Sequence, residues 1–160
     1  MKVFLVVGTL FSFDRLVREI DSWAEDHPEV EVTGQIGSGK YKPRHMKHFP
    51  MLKAAEFNSI FEESDLVITH AGMGIILKSL VAGKPIVVMP RKLELNEHTT
   101  DHQMATAVAL DKMKYVQIAW DNEELRQFLQ NPGQIRSRTT IGNYASDALI
   151  GTLKTYIQEH

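Results

Sequence analysis

The chain has 160 residues, 43% of them hydrophobic and 24% charged, which is the size and make-up of one globular domain able to bury a core. A formal net charge of −2 argues against general nucleic-acid binding, which needs a basic surplus. There is no cysteine, so neither a disulfide framework nor a thiolate metal site is possible, a usage that fits the cytoplasm.

The opening stretch, MKVFLVVGTLFSF, could be mistaken for a signal sequence. A single lysine precedes its apolar run and no small-residue cleavage site follows, so a buried strand is the better expectation. Val3–Val7 is that strand, continuous in the way of one covered on both faces. Gly8-Thr9 makes a strand-to-helix turn whose backbone is a candidate ligand contact. The next helix buries Phe13, Leu16, Val17, Ile20 and Ala24 and ends before Pro28. Val30–Ile36 is the second strand, broken at Gly37-Ser38-Gly39.

Lys40–Pro50, KYKPRHMKHFP, holds four Lys/Arg and two His. It reads either as a solvated basic loop or as a clamp for a phosphate or an acidic surface. Glu56–Glu63 is a short helix leading into the strand Leu66–Thr69.

A glycine-bracketed turn, Ala71-Gly72-Met73-Gly74, follows, and Ile76, Leu77, Leu80 and Val81 then recur at helix-face spacing. Gly83 stops that helix, and Ile86–Met89 is a further strand closed by Pro90. Strand, turn, helix and strand make one βαβ unit of a parallel sheet. Ligands of such sheets sit beyond the carboxyl ends of the strands, where glycine lets backbone N–H groups approach an anion. His70, Gly72 and Gly74 lie at such a place. Taken alone, Gly72-Met73-Gly74 is equally a tight packing turn, because no third glycine completes a dinucleotide fingerprint.

The polar loop Arg91–Thr100 carries Glu97-His98 and runs into Asp101-His102-Gln103 at the next helix, which buries Met104, Ala107, Val108 and Leu110. Thr100-x-x-Gln103 has the form of a capping box. Tyr115–Ala119 is another strand. Asp121–Glu124 is a second capping box, opening a helix that buries Leu125, Phe128 and Leu129 and ends at Asn131-Pro132-Gly133. A polar stretch, 134–143, precedes a last helix through Ala148, Leu149, Leu153 and Ile157. No stretch approaches the length of a bilayer span. The expected architecture is one α/β domain over 1–160: a Rossmann-like parallel sheet flanked by helices, with a core at about 2–130 and a closing helix at about 143–158.

The segments VVGTLFSFDRL, HAGMG…L…GKPIVVMP and NEHTTDHQ together resemble the signatures of the nucleotide-sugar-binding subunit of two-chain glycosyltransferases, over roughly Lys2 to Leu129. That family includes the eukaryotic subunit adding the second N-acetylglucosamine to dolichol-linked oligosaccharide, and bacterial chains that extend lipid-linked exopolysaccharide precursors. The chain is also similar to the C-terminal half of the peptidoglycan-precursor N-acetylglucosaminyltransferase, a family 28 domain. The resemblance implies half of a GT-B glycosyltransferase, with the reaction in a cleft between two Rossmann-like domains.

It further implies a UDP-sugar donor, a lipid-linked saccharide acceptor, and a membrane-anchored second subunit that would hold this chain peripherally at the membrane from the cytoplasm. Ala71, Gly72, Met73 and Gly74 would supply backbone donors to the diphosphate without a metal or other cofactor, and Gly8 and Thr9 would be further substrate contacts. His70 would donate to a phosphate oxygen, or else serve a neighbouring loop. Glu97-His98 would close over the donor, or else be a solvated loop tip. Asp101, His102 and Gln103 match the segment that contacts the sugar hydroxyls in relatives. Inversion at the sugar carbon follows from the same analogy, with the catalytic base unassigned in this chain and the partner's side of the cleft left open for it.

One position departs from the pattern: many relatives carry an acid four residues after the second glycine, where a carboxylate accepts from the ribose, and this chain has Lys78. A lysine only donates. It would attract the diphosphate, or mark a chain that binds donor weakly until its partner docks. Lys78 also keeps a second class open, a nucleotide-sugar-binding regulatory or scaffold subunit without catalysis. A nicotinamide-dependent oxidoreductase is disfavoured by the incomplete glycine fingerprint.

Overall fold

The computed structural model describes residues 1–142; the expected helix at 143–158 lies outside them. Among these residues six strands and five α-helices follow in the order β1 (Lys2–Val6), α1 (Asp14–Asp26), β2 (Glu31–Gln35), β3 (Lys47–Phe49), α2 (Ala54–Glu63), β4 (Leu66–His70), α3 (Met73–Val81), β5 (Ile86–Met89), α4 (His102–Lys112), β6 (Gln117–Ile118) and α5 (Asn122–Gln130). The sheet order is β3-β2-β1-β4-β5-β6, and every neighbouring pair is parallel. This is the Rossmann-like α/β arrangement the sequence predicts.

Alternation along each strand builds two cores. Val3, Leu5 and Val7 join Leu16, Val17 and Ile20 of α1 and Leu125 and Leu129 of α5 on one face. Phe4 and Val6 turn to the other face, with Phe61 of α2, Ile76 and Leu80 of α3 and Leu110 of α4. With apolar cover on both faces the strands need no polar alternation, which explains their continuous hydrophobic runs.

The motif GKP has a local explanation. Gly83 adopts φ +63°, and α3 closes with Gly83 N–H on Leu80 O (3.2 Å) and Lys84 N–H on Ser79 O (2.9 Å). That is a Schellman termination, which glycine enters without a Cβ penalty. Lys84 Nζ then donates to Glu62 O (2.8 Å) and Ser64 O (2.6 Å), satisfying carbonyls at the end of α2.

Four expectations are corrected. The basic segment is neither a free loop nor wholly irregular: Lys47–Phe49 is the edge strand of the sheet, three residues too short and too charged to stand out by pattern. Its approach is tied to α1, where Asp14 accepts from the amides of Lys40 and Tyr41, and buried Asp21 from those of Arg44 and His45 and from the Tyr41 hydroxyl. Leu77, Val81 and Val108 point outward, because the buried stripes of α3 and α4 are narrower than the apolar spacing suggested.

Neither proposed capping box closes as written. Asp121 does accept from Glu124 N–H (2.9 Å), yet the Glu124 carboxylate reaches back to Trp120 N–H rather than to the cap. At α4 the cap residue is Asp101, without a side-chain bond, and Gln103 is engaged elsewhere.

Candidate functional site

Strand order reverses between β1 and β4, since β1 leads outward to β2 while β4 leads to β5. Above their carboxyl ends lies the crevice where parallel sheets bind ligands. The turn after β1 and the turn from β4 into α3 both open there.

His70 is the hinge of this crevice. Its ring fills the space between the two turns: a Cβ on Gly72 would lie 2.4 Å from His70 Nε2, and one on Gly8 only 2.8 Å from it. Both glycines are therefore required by the histidine, whatever else approaches. The Thr69 hydroxyl donates to Val6 O (2.8 Å). His70 Nδ1 lies 3.4 Å from the same carbonyl and 3.3 Å from Thr69 Oγ1. Both neighbours can only accept there, so the neutral ring carries its proton on Nδ1 and leaves a lone pair on Nε2. Burial, and next the charge of Arg91, push the imidazole down to about 4. Donation from Nε2 to an anion thus requires proton uptake or a change of tautomer.

Gly74 differs from its neighbours, because a Cβ there meets nothing within 4 Å. It sits exposed in the first turn of α3, next to Met73 at 45% exposure and buried Ala71. The cap residue Gly72 has no side chain to offer, and among the described residues the amides of Met73, Gly74 and Ile75 find no acceptor. Helix amides left open in this way favour negative charge.

The β5–α4 loop is anchored more deeply than its polarity suggested. Glu97 takes Arg15 Nε at 2.6 Å and Nη2 at 2.8 Å, and also the amide of Lys92 (2.9 Å). Its carboxylate is an internal tie rather than a solvated tip. His98 packs at a tilt against Phe11 of the β1–α1 turn, with ring centroids 4.8 Å apart, and its Nδ1 accepts from Thr100 N–H (3.1 Å). Buried Gln103 accepts from the backbone amide of Arg91 at 3.1 Å. Thr9, Asp101 and His102 are exposed and make no side-chain bond among the described residues.

Sequence reasoning missed Arg91. It is 2% exposed, with Nη2 donating to Phe11 O at 2.6 Å and Cζ 5.2 Å from the centre of the Phe13 ring. Nη1 lies 3.7 Å from the position of a Gly8 Cβ. Burial holds the guanidinium down to about 10, with Glu97 acting in the opposite sense. Through Arg91 the three rim segments meet: Phe11 on one side, His70 beside it, Gln103 behind. An Arg after Pro90 in a polar loop gave no sign of burial.

Lys78 lies elsewhere. Its Nζ donates to Asn58 of α2 at 2.9 Å and stands 4.8 Å over the Phe61 ring, so it packs on α2. Among the described residues no three of His, Asp and Glu gather in a way that could hold a metal ion, and no helix is long and apolar enough to cross a membrane.

The chain is similar to known proteins in sequence and in fold. Over 108 residues, 67% of this chain, it is 33% identical to the UDP-N-acetylglucosamine transferase subunit ALG13 of Candida albicans, covering 35% of that protein. The Mus musculus protein of the same name is 36% identical over 109 residues, 61% of this chain and 9% of that one. The chain thus spans about a third or less of these relatives. Among solved structures, an NMR structure of ALG13 superposes with TM-score 0.57 at 17% identity, covering 95% of this chain and 94% of that one. A glycotransferase of kitacinnamycin gives TM-score 0.61 at 21% identity over 83% of this chain and 35% of its own. Acinetobacter baumannii MurG gives 0.58 at 20% identity, over 82% and 41%. These superpositions establish a shared fold with the C-terminal domains of GT-B enzymes. The model of the glycosyltransferase family 28 C-terminal domain matches residues 2–138 of the 160, and the chain belongs to that family.

Proposed function

We propose that this chain, acting as one nucleotide-sugar-binding unit, is the donor half of a UDP-sugar-dependent glycosyltransferase. The diphosphate would sit over the Gly8 and Gly72 turns, facing the open amides of Met73, Gly74 and Ile75. The observation that carries the reading is this pairing of two glycine turns with an uncapped helix terminus at the point where strand order reverses. The name of the ALG13 relatives points to UDP-N-acetylglucosamine as the donor, within the wider class of hexoses and N-acetylhexosamines.

The chemistry suits such a rim. An acceptor hydroxyl attacks the anomeric carbon, the bond from that carbon to the β-phosphate oxygen breaks, and UDP departs with the electron pair. Charge therefore grows on the diphosphate, and backbone donors fixed beforehand meet it without reorganising. In this reading they do so without a metal ion. Attack from the opposite face inverts the sugar carbon, and the base that takes the hydroxyl proton resides on the second subunit. That subunit would also carry the lipid-linked acceptor site and the membrane anchor. The ALG13 relatives are named as transferase subunits, which supports a second subunit.

Calorimetric titration with UDP and UDP-N-acetylglucosamine, followed by a transfer assay of the chain co-expressed with its membrane partner, tests the proposal. Donor binding by the chain and turnover only in the pair is the expected result. Absence of UDP-sugar affinity in both states refutes it.

A non-catalytic nucleotide-sugar-binding subunit is the second reading. It is favoured by Lys78, which leaves α3 without a carboxylate for the ribose hydroxyls and is itself committed to Asn58. Donor binding without transfer in the assembled pair would decide for it.

A further inference from the structure

We propose that Arg91 is a positioning charge of the donor site, a buried guanidinium beneath the Gly8–Phe11 turn that selects a nucleoside diphosphate over an uncharged nucleoside. The inference rests on the donor-binding reading and deepens it. Two guanidiniums, those of Arg15 and Arg91, flank the Phe13 ring, each 5.2 Å from its centre. Only one carboxylate serves them. Glu97 grips Arg15 with both oxygens, and among the described residues Arg91 has no acid within ion-pair distance. Arg91 Nε is buried without any acceptor there. Among the described residues the rim therefore holds one positive charge without an ion-pair partner, on which Glu97 acts only from a distance.

A buried unpaired charge is costly to a fold, and its field is strong where little water screens it. If Arg91 served only to hold the Phe11 carbonyl, a neutral donor would do as well. Its position says more: Nη1 lies 3.7 Å from where a Gly8 Cβ would stand, and open helix amides stand at the start of α3 across the crevice. An anion resting on the turn would meet positive potential from both directions. At 2% exposure Arg91 acts through the turn and not by touching the ligand. An uncharged ligand gains nothing from it.

The test uses the full chain, with UDP, uridine and inorganic pyrophosphate as probes, and compares Arg91→Gln, which keeps a donor without charge, with Arg91→Lys, which keeps the charge. Thermal melts establish that each variant is folded. Arg91→Gln is expected to weaken UDP about tenfold or more, a change of ~1.4 kcal/mol, and to leave uridine unchanged. Arg91→Lys is expected to recover most of the loss. Equal losses for UDP and uridine, or a folded Arg91→Lys no better than Arg91→Gln, would reduce Arg91 to a clip and overturn the proposal. Should Arg91→Gln fail to fold, the wild-type and Arg91→Lys ratios of UDP to uridine affinity decide: a collapsed ratio in the lysine variant overturns it. Wild-type protein that binds pyrophosphate in an Arg91-dependent way but not UDP upholds the charge and sinks the nucleotide reading. No binding of either anion sinks both.

Discussion

Arg15 and Glu97, 82 positions apart in the chain, form a two-pronged ion pair, with Nε on Oε1 at 2.6 Å and Nη2 on Oε2 at 2.8 Å. The pair joins the FDRL signature at the start of α1 to the NEH signature of the β5–α4 loop. Both side chains are largely sheltered, at 18% and 10% exposure. Glu97→Gln, which leaves Arg15 uncompensated, is expected to cost about 3 kcal/mol in urea unfolding. Pairing it with Arg15→Met should cost less than the two single changes summed. Strict additivity in that cycle would show that the pair is not coupled.

The glycines of the β4–α3 turn separate packing from binding. Gly74→Val adds atoms into open space, so the protein should melt within a few degrees of the wild type while UDP affinity falls about tenfold or more. Gly72→Ala drives a methyl group into His70, so stability itself should drop. Undiminished UDP binding by folded Gly74→Val would remove the diphosphate from this turn.

His70 makes the fold sensitive to acid. The unfolded chain protonates this imidazole near 6.5 and the native protein only near 4. Between those values the unfolded state binds more protons, so stability rises with pH across the window and is lost on acidification through it. The full effect below the window is on the order of 3 kcal/mol. His70→Gln should flatten that slope in urea unfolding measured at several pH values. An unchanged slope would mean that His70 is not the titrating group.

Asp21 contributes in a lower range. Burial alone would raise its carboxyl, but the hydrogen bonds from Tyr41 and from the amides of His45 and Arg44 together hold it below the usual value. Its contribution is therefore complete above the unfolded value of about 3.8 and disappears as pH falls through the lower native one. Asp21→Asn should destabilise at neutral pH by about 1–3 kcal/mol and free the Lys40–His45 backbone to faster hydrogen exchange. Unaltered exchange there would show the basic segment to be held by something else.

Gln103 has two tasks to disentangle. Its carboxamide oxygen satisfies the buried Arg91 amide. Gln103→Ala should cost about 1–3 kcal/mol through that orphaned donor. If the remaining N–H2 also meets the sugar, UDP-sugar use should fall more than UDP binding. Equal losses would leave only the structural task.

Much of this molecule was readable residue by residue. Val3–Val7, Leu66–Ile68 and Ile86–Met89 are apolar without interruption, and each runs within four residues into glycine or proline, so parallel strands and their turns could be placed by inspection. Gly83 as a helix stop, and the delivery of the His70–Gly74 turn and the Arg91–Gln103 loop to one rim by consecutive strands, also followed from local pattern and its period. The edge strand Lys47–Phe49 did not, because three residues with one charged and one histidine side chain have no period to detect.

Sequence by itself determined the succession of strands and helices, the edge strand Lys47–Phe49 excepted, and the turns that close the central strands, since these depend on side chains within a few positions of one another. Tertiary structure alone decided the partners of charged groups. Glu97 became the counter-ion of Arg15, Asp21 the anchor of the basic segment, and Arg91 a buried cation with no ion-pair partner among the described residues. The reason is physical: a charge is stabilised by whatever lies within a few ångströms, and for these residues those neighbours come from distant parts of the chain.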